Sequence, residues 1–357
     1  MSKFARICIL SSGSQQKLID AAEGLGHNAF VINPNECSID LDPRSGQNKL
    51  YHNGERIYKK NIDVVLCRGG LKGFGNNVLK MIELMDIPTT ASPMAIELAA
   101  DQMKTMFKLA HNNIPHIRTN LINTNSPNVE ERFFEAIKRV GGYPFILKEL
   151  VSSQGKGVFK IETEEGAGWA INSYKNRGVK IMLQEYIKTR EKGAIGLRVW
   201  VVDGIVVAAM KKISKKDFRD NASQGAEVKS VNLTKRQKQL AIESAKAVGL
   251  EIAAIDLMYD IEKGEDYVIE ANSNGGLKYI SKIEYDLPRL LIEYALSKIG
   301  VSHKIETKNY YTNQGYYNIK ARQYYNHYFT PKTLHIEQDD IFKDSKSMFD
   351  FEDNAGD

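Results

Sequence analysis

The chain has 357 residues, 42% of them apolar and 26% charged, with 49 lysines and arginines against 44 acids. Those proportions exclude a mainly disordered chain, a collagen and a coiled-coil rod, and no run approaches the roughly 18 apolar residues of a membrane-spanning helix. The cysteines, Cys8, Cys37 and Cys67, are sparse, odd in number and lack C-x-x-C spacing, which argues against a disulfide framework or a structural zinc site and predicts a reduced, cytoplasmic protein. In chain order, residues 5–10 form a β-rich run, 11–13 a turn, and Leu18, Ala21, Ala22 and Leu25 recur at helical spacing before Gly26. Strand patterns follow at 29–32 and 62–67, so strands alternate with helices as in a parallel sheet with crossover connections. Ser92 and Pro93 read as N-cap and first turn of a helix that runs to about His111.

Residues 145–150 and 158–161 read as strands flanking the glycine loop SSQGKG. Asp203-Gly204 is a two-residue hairpin signal between strands at 197–202 and 205–210. Thr234, with Gln237 three residues on, is a capping box for a helix ending near Gly249. Strands at 253–259 and 267–271 follow, and a helical pattern from about 287 to 299 closes the compact part. Beyond it lie seven of the chain's 17 tyrosines, then a tail from Glu337 in which eight acids face two lysines. That tail carries −6, so the rest of the chain carries +11 of the formal net +5.

Three groups of residues carry chemistry. Glu270 and Asn272 stand at i and i+2 on one strand and share a face. Asp256 sits inside the apolar run AAIDLMYD, where an acid is costly unless paired or metal-bound. An all-oxygen set of this kind suits a hard cation such as Mg²⁺, with Mn²⁺ as the alternative; the competing reading is an acid capping a turn at the sheet end. The SSQGKG loop offers backbone N–H groups to an anion, with Lys148 beside it, but it lacks P-loop spacing and in isolation reads first as an ordinary flexible turn. Arg198 and Arg219 are the arginines placed for carboxylate or phosphate recognition, whereas Lys215 and Lys216 read as a solvated face.

The order KEL-SSQGKGV, QEYIK, LRVWVVDGIVVAAMKK, DFRDN, IDL, IEANSNGGL resembles the ATP-grasp ligases. Within them the chain is most similar to the RimK-type ribosomal-protein glutamate ligases. NPNECSIDLDPRSG, YHNGERI and VVLCRGG extend the resemblance to the N-terminal part, and it covers roughly residues 4–298. It implies an α/β (α+β) ATP-grasp fold behind a parallel-sheet pre-ATP-grasp domain at 1–97. A small subdomain at 98–190 would carry the glycine-rich loop, a large one at 191–299 the metal site, and 300–357 would be an extension and tail.

The resemblance assigns Lys148 to the α/β-phosphates and Ser153, Gln154, Gly155 and Gly157 to a loop closing over the triphosphate. It makes Gln184, Glu185, Tyr186 and Ile187 the adenine hinge, adds Asn221 to the nucleotide site, and makes Asp256, Glu270 and Asn272 the ligands of two Mg²⁺ ions. Arg198 and Arg219 would lie near the γ-phosphate and the acyl acceptor, and Arg68 would face the substrate cleft. The chain departs from the pattern at Gln102, where the family has lysine (Lys104 follows two residues later), and at Gly196, where it has a ribose-binding acid that Glu191 would have to replace. It departs again at 223–226, where a basic segment has become Ser-Gln-Gly-Ala.

The implied activity is ATP-dependent amide formation through an acyl phosphate, adding glutamate or a similar amino acid to a carboxylate of a peptide or protein C-terminus, in a homo-oligomer of two or four copies. Peptide-cyclising and amino-acid-biosynthetic ligases of the same superfamily remain open. So does a nucleotide-dependent module that binds RNA or the ribosome through the Tyr-rich, basic stretch at 304–332. No membrane partner is expected, and the intact Asp256, Glu270 and Asn272 set favours the enzyme over a nucleic-acid module.

Overall fold

The computed structural model describes residues 4–44, 47–150, 157–175, 177–190, 193–214, 226–277, 280 and 286–301. All belong to the first of two units, Met1–Glu306 and Thr307–Asp357. The Tyr-rich stretch and the acidic tail lie outside the described residues, as do Ser153, Gln154, Gly155, Glu191, Arg219 and Asn221.

The chain begins with β1 (Arg6–Leu10), α1 (Gln16–Gly24) and β2 (Asn28–Ile32). Residues 37–57, which the sequence pattern leaves unassigned, form a small antiparallel sheet of β3 (Cys37–Asp42), β4 (Gln47–His52) and β5 (Glu55–Ile57). The chain then enters β6 (Val64–Cys67), followed by α2 (Phe74–Leu84). β2, β1 and β6 pair in parallel in that order, as the alternation of strands and helices predicts. Successive β1 side chains leave on opposite faces. Ile7 and Ile9 join one core with Leu18 of α1, while Cys8 and Leu10 join another with Val78 and Leu79 of α2. A parallel sheet covered on both faces thus explains why these strands read as unbroken apolar runs. Its carboxyl end delivers two loops side by side: the N–H of Ser12, after β1, donates to the carbonyl of Gly69, after β6 (3.1 Å).

The single helix expected from Ser92 to His111 is two helices, α3 (Pro93–Ala100) and α4 (Gln102–His111). Ser92 caps the first as expected. Asp101 causes the break: its backbone is extended and its carboxylate accepts from the N–H groups of Met103 (2.9 Å) and Lys104 (3.2 Å). A side chain that caps N–H groups stabilises a new helix start rather than continuation of the old helix.

A second layered region follows, built from β7 (Thr119–Asn123), α5 (Val129–Arg139), β8 (Phe145–Glu149), β9 (Val158–Ile161), α6 (Glu164–Tyr174) and β10 (Lys180–Glu185). The strands form an antiparallel sheet in the order β7-β10-β8-β9. Phe145, Leu147, Ile181 and Leu183 fill its core together with Phe133 of α5 and Ile171 of α6.

The third region comprises β11 (Ala194–Val202), β12 (Ile205–Ser214), β13 (Glu227–Ser230), α7 (Lys235–Val248), β14 (Ile252–Asp260), β15 (Glu265–Asn272) and α8 (Leu287–Ser297). Its antiparallel sheet runs β13-β12-β11-β14-β15. Asp203 and Gly204 turn β11 into β12 with φ of 50° and 74°, the two positive values that a two-residue hairpin of the favoured twist requires. The Thr234–Gln237 capping box opens α7 as expected. One sheet face packs on α7 through Val199, Ile255 and Leu257, and the other packs Trp200, Ala254 and Met210 into a core shared with β1, β6 and α8. No described helix is long and apolar enough to cross a membrane.

Candidate active site

In the four-stranded sheet, alternation sends Leu147 and Leu183 into the core, so their neighbours in register share the opposite face. Lys148 stands opposite Met182 on one side and Val158 on the other, and Gln184 stands between Ile146 and Thr119. Gln184 is fully buried: its Nε2 donates to Thr119 Oγ1 (3.1 Å), while its Oε1 has no partner among the described residues. A buried acceptor left open at a strand end fits an exocyclic amine such as that of adenine. Glu185 donates its backbone N–H to Arg118 (3.0 Å), and its side chain is held by Lys263. Ile187 is buried, and Tyr186 carries the Lys160 ammonium 4.5 Å above its ring. Gly157 accepts from the N–H of Glu149 (3.1 Å).

Lys160 is a residue that the sequence reading misses. The signal was available: in β9 it alternates with Val158, which faces Lys148, so it lies on the same sheet face. Lys104 does not replace the lysine missing at Gln102. It pairs on the surface with Glu97 (3.0 Å), while the Gln102 amide reaches the carbonyl of Ile269 in β15 (3.4 Å).

The two larger sheets meet at the tip of the β14–β15 hairpin. There Lys263 binds Glu185, Lys188 pairs with Glu262 (3.1 Å), and the N–H of Ile261 donates to the carbonyl of Lys188 (2.9 Å).

In the five-stranded sheet, Arg198, Asp256 and Glu270 stand in one row across β11, β14 and β15, and Ala254 and Asn272 are opposite each other in the next. Arg198 clasps Asp256 with both ends, Nε to Oδ1 at 2.8 Å and Nη2 to Oδ2 at 2.7 Å, and Lys212 Nζ lies 3.5 Å from Oδ2. Asp256 is only 8% exposed. Burial pushes its carboxyl up, but Arg198 and Lys212 outweigh burial and hold it well below the ordinary carboxylate range. Lys212 is a second residue the sequence reading misses. Its alternation with Met210 and Ser214 along β12 puts it on the Asp256 face, but a lysine beside Lys215 and Lys216 reads as one more member of a solvated run.

Glu270 is exposed, and Asn272 is half-buried. Among the described residues no three His, Cys, Asp or Glu side chains cluster. The set that fits a hard cation is two carboxylates and an amide, Asp256, Glu270 and Asn272, with oxygen donors only. No acid stands at Gly196, which is opposite Lys212. Arg68 follows β6 and is 3% exposed; its Nη2 donates to the carbonyl of Gly275 (2.9 Å), just beyond β15.

Residues 5–96 match the RimK pre-ATP-grasp domain and residues 99–295 the RimK-like ATP-grasp domain. The chain is similar to a protein named probable alpha-L-glutamate ligase 1 from Shewanella denitrificans, with 31% identity over 81% of this chain and 96% of that one. Two solved structures share its fold. One is the ATP-grasp ligase PsnB, solved with a phosphomimetic variant of its minimal precursor, Mg and ADP (TM-score 0.62, 17% identity, 82% of this chain and 98% of that one). The other is the macrocyclase MdnC from Microcystis aeruginosa, bound to its precursor peptide (TM-score 0.60, 16% identity, 82% and 99%). With both domains matched in order and an ATP-grasp fold to hold them, the chain belongs to the RimK-like ATP-grasp family.

Proposed function

We propose that the protein is an ATP-dependent carboxylate–amine ligase that joins glutamate to a carboxylate of a peptide or protein. The observation that carries this reading is the Arg198–Asp256–Glu270 row, an anion-handling corner in a sheet tied directly to the strand that bears Gln184. The glutamate comes from the name of the Shewanella relative.

Gln184 Oε1 would accept from the adenine amine. Lys148 and the loop ending at Gly157 would hold the phosphates. Asp256, Glu270 and Asn272 would hold Mg²⁺, two ions on the family pattern, which neutralises phosphate charge when bound. An oxygen of the acceptor carboxylate attacks the γ-phosphorus, the bond to the β,γ-bridging oxygen breaks, and ADP leaves. The amine then attacks the acyl carbon, loses a proton, and phosphate departs as the amide forms. No enzyme nucleophile is needed, so the residues act by positioning and charge neutralisation.

The direct test is incubation with Mg-ATP, each amino acid and acidic peptides, read by mass spectrometry for an added residue. A glutamyl gain that depends on ATP is expected; ADP release with no gain on any acceptor would overturn the substrate reading. Glu270→Gln is expected to abolish ADP production while the protein stays folded, since Glu270 is exposed and supports no core. Lys148→Ala should raise the KM for ATP with little change in that for the amino acid.

A further inference from the structure

Edge strands offer unpaired N–H and C=O groups to any extended chain, and proteins blunt them with charges, proline or bulges. The described antiparallel sheets end in six strands. Five carry charge: Asp40 in β3, Arg56 in β5, Lys160 in β9, Lys229 in β13 and Glu265 in β15. The sixth, β7, reads Thr-Asn-Leu-Ile-Asn, with no charge, no proline and an unbroken register against β10.

The ladder identifies the open side of β7. The N–H of Glu185 donates to Arg118 and that of Thr124 to Val179 (3.2 Å), so residues 118, 120, 122 and 124 turn their main chain towards β10. The main-chain groups of Thr119 and Leu121 then point away from the sheet, and among the described residues nothing pairs with them. Ile122 fills the core on the helix side, so Leu121 leaves on the opposite face, where it is 38% exposed.

A groove of about 380 Å³ runs between this strand and α5. Arg132, Glu135 and Arg139 stand along it at i, i+3 and i+7, on one face of the helix. Glu135 is engaged by Arg139 (2.8 Å), whereas Arg132 meets no acid among the described residues. The helix wall of the groove therefore carries a net positive charge. A chain laid along β7 alternates its side chains, one set over α5 and Arg132, the other beside Leu121.

We propose that β7 takes an extended, acidic polypeptide segment as a fifth strand of this sheet, with carboxylates on alternate residues facing Arg132 and apolar side chains beside Leu121. Resting on the ligase reading above, the segment belongs to the peptide or protein whose carboxylate is extended. Strand addition suits such a partner, since main-chain bonds supply affinity and alternate side chains supply selectivity. The acceptor is then anchored on the sheet that bears Lys148 and Gln184, away from its reacting carboxylate.

The probe is a dye-labelled heptapeptide that alternates valine and glutamate, acetylated and amidated at its ends. It is titrated with the full chain without ATP and read by fluorescence anisotropy. Saturable binding is expected, weakening as salt is raised. Three control peptides should each bind about ten-fold more weakly or worse: an isomer with its glutamates split between the two strand faces, one with lysine for glutamate, and one N-methylated through its centre. Leu121→Pro removes an N–H that faces outward and costs no ladder bond, and it should weaken the alternating peptide by about ten-fold. Arg132→Gln, at an exposed position, should weaken it by about three-fold, the scale of one exposed ion pair, and keeps the test open if the proline variant unfolds.

Equal binding of the split-face isomer overturns the proposal, as does unaltered binding in both variants or the lack of any saturable response. A dimer that Leu121→Pro converts to monomers, while the peptide leaves it intact, assigns the edge to a second copy and overturns the proposal too. Acyl-phosphate trapping with hydroxylamine reports the ligase reading separately. Peptide binding without ATP turnover sinks only that reading, and turnover with peptide binding unaltered in both variants sinks only the present inference.

Discussion

Two buried ionic centres lie on the same face of the five-stranded sheet, and they are built on opposite plans. At one, the acid Asp256 is held by two cations, Arg198 at 2.7–2.8 Å and Lys212 at 3.5 Å. At the other, a cation, Arg68, meets a backbone carbonyl and, among the described residues, no acid. The difference separates an acid whose counter-charges the fold supplies from a cation to which the described residues offer a neutral carbonyl. It also shows what a cation entering the first centre has to do: share the oxygens of Asp256 with Arg198 or displace it.

The largest test of this contrast is Asp256→Asn. Removing the acid leaves Arg198 and Lys212 facing each other with their shared counter-charge gone. A loss of about 3–5 kcal/mol is expected from breaking a buried pair on one side, towards the lower end because the Arg198 side chain keeps some exposure. Denaturant unfolding measures it. A loss under about 1 kcal/mol would mean that the corner behaves as a surface pair.

A smaller effect concerns pH. The Asp256 carboxyl is held below its ordinary value of 3.8, so its stabilising contribution is complete above that pH and is lost as the pH falls below it. In the double variant Arg198→Met, Lys212→Met, burial acts without opposition and raises the carboxyl above 3.8. The contribution then reverses sign, present at low pH and lost as the pH rises. Stability measured from pH 3 to 6 should climb in the parent relative to the double variant. Parallel curves would show that the two cations do not set this carboxyl.

How much of this was readable in advance follows from how local each signal is. The parallel sheet, the Asp203-Gly204 turn and the Thr234 capping box depend on neighbours in sequence, and the pattern marks all three. The helix break at Asp101 is also local, but an aspartate in a helical pattern reads as a tolerated residue until its cap geometry is seen. Asp256, Glu270 and Asn272 stand out because polar residues in apolar strands are anomalous. The partners of Asp256 do not: the sequence marks Arg198 as a phosphate-facing residue, and Lys212 is hidden in a run of lysines. Cross-strand register brings them to Asp256 from 58 and 44 residues away in sequence, and no spacing rule carries register. Arg68 drew notice through the family resemblance alone, since a lone arginine before two glycines has no signature of its own.

The smallest expected effect bears hardest on the comparison. Arg68→Met removes a charge that no acid among the described residues balances. What is lost is one hydrogen bond to the Gly275 carbonyl, about 1 kcal/mol, together with the burden of leaving that carbonyl unpaired. What is gained is relief from holding a guanidinium out of water, and a thioether that packs against the same surroundings. The terms oppose, so the unfolding free energy should stay within about 1 kcal/mol of the parent. If Arg68→Met instead lost as much as Asp256→Asn, Arg68 would have to be part of the internal scaffold, and the two centres would be alike.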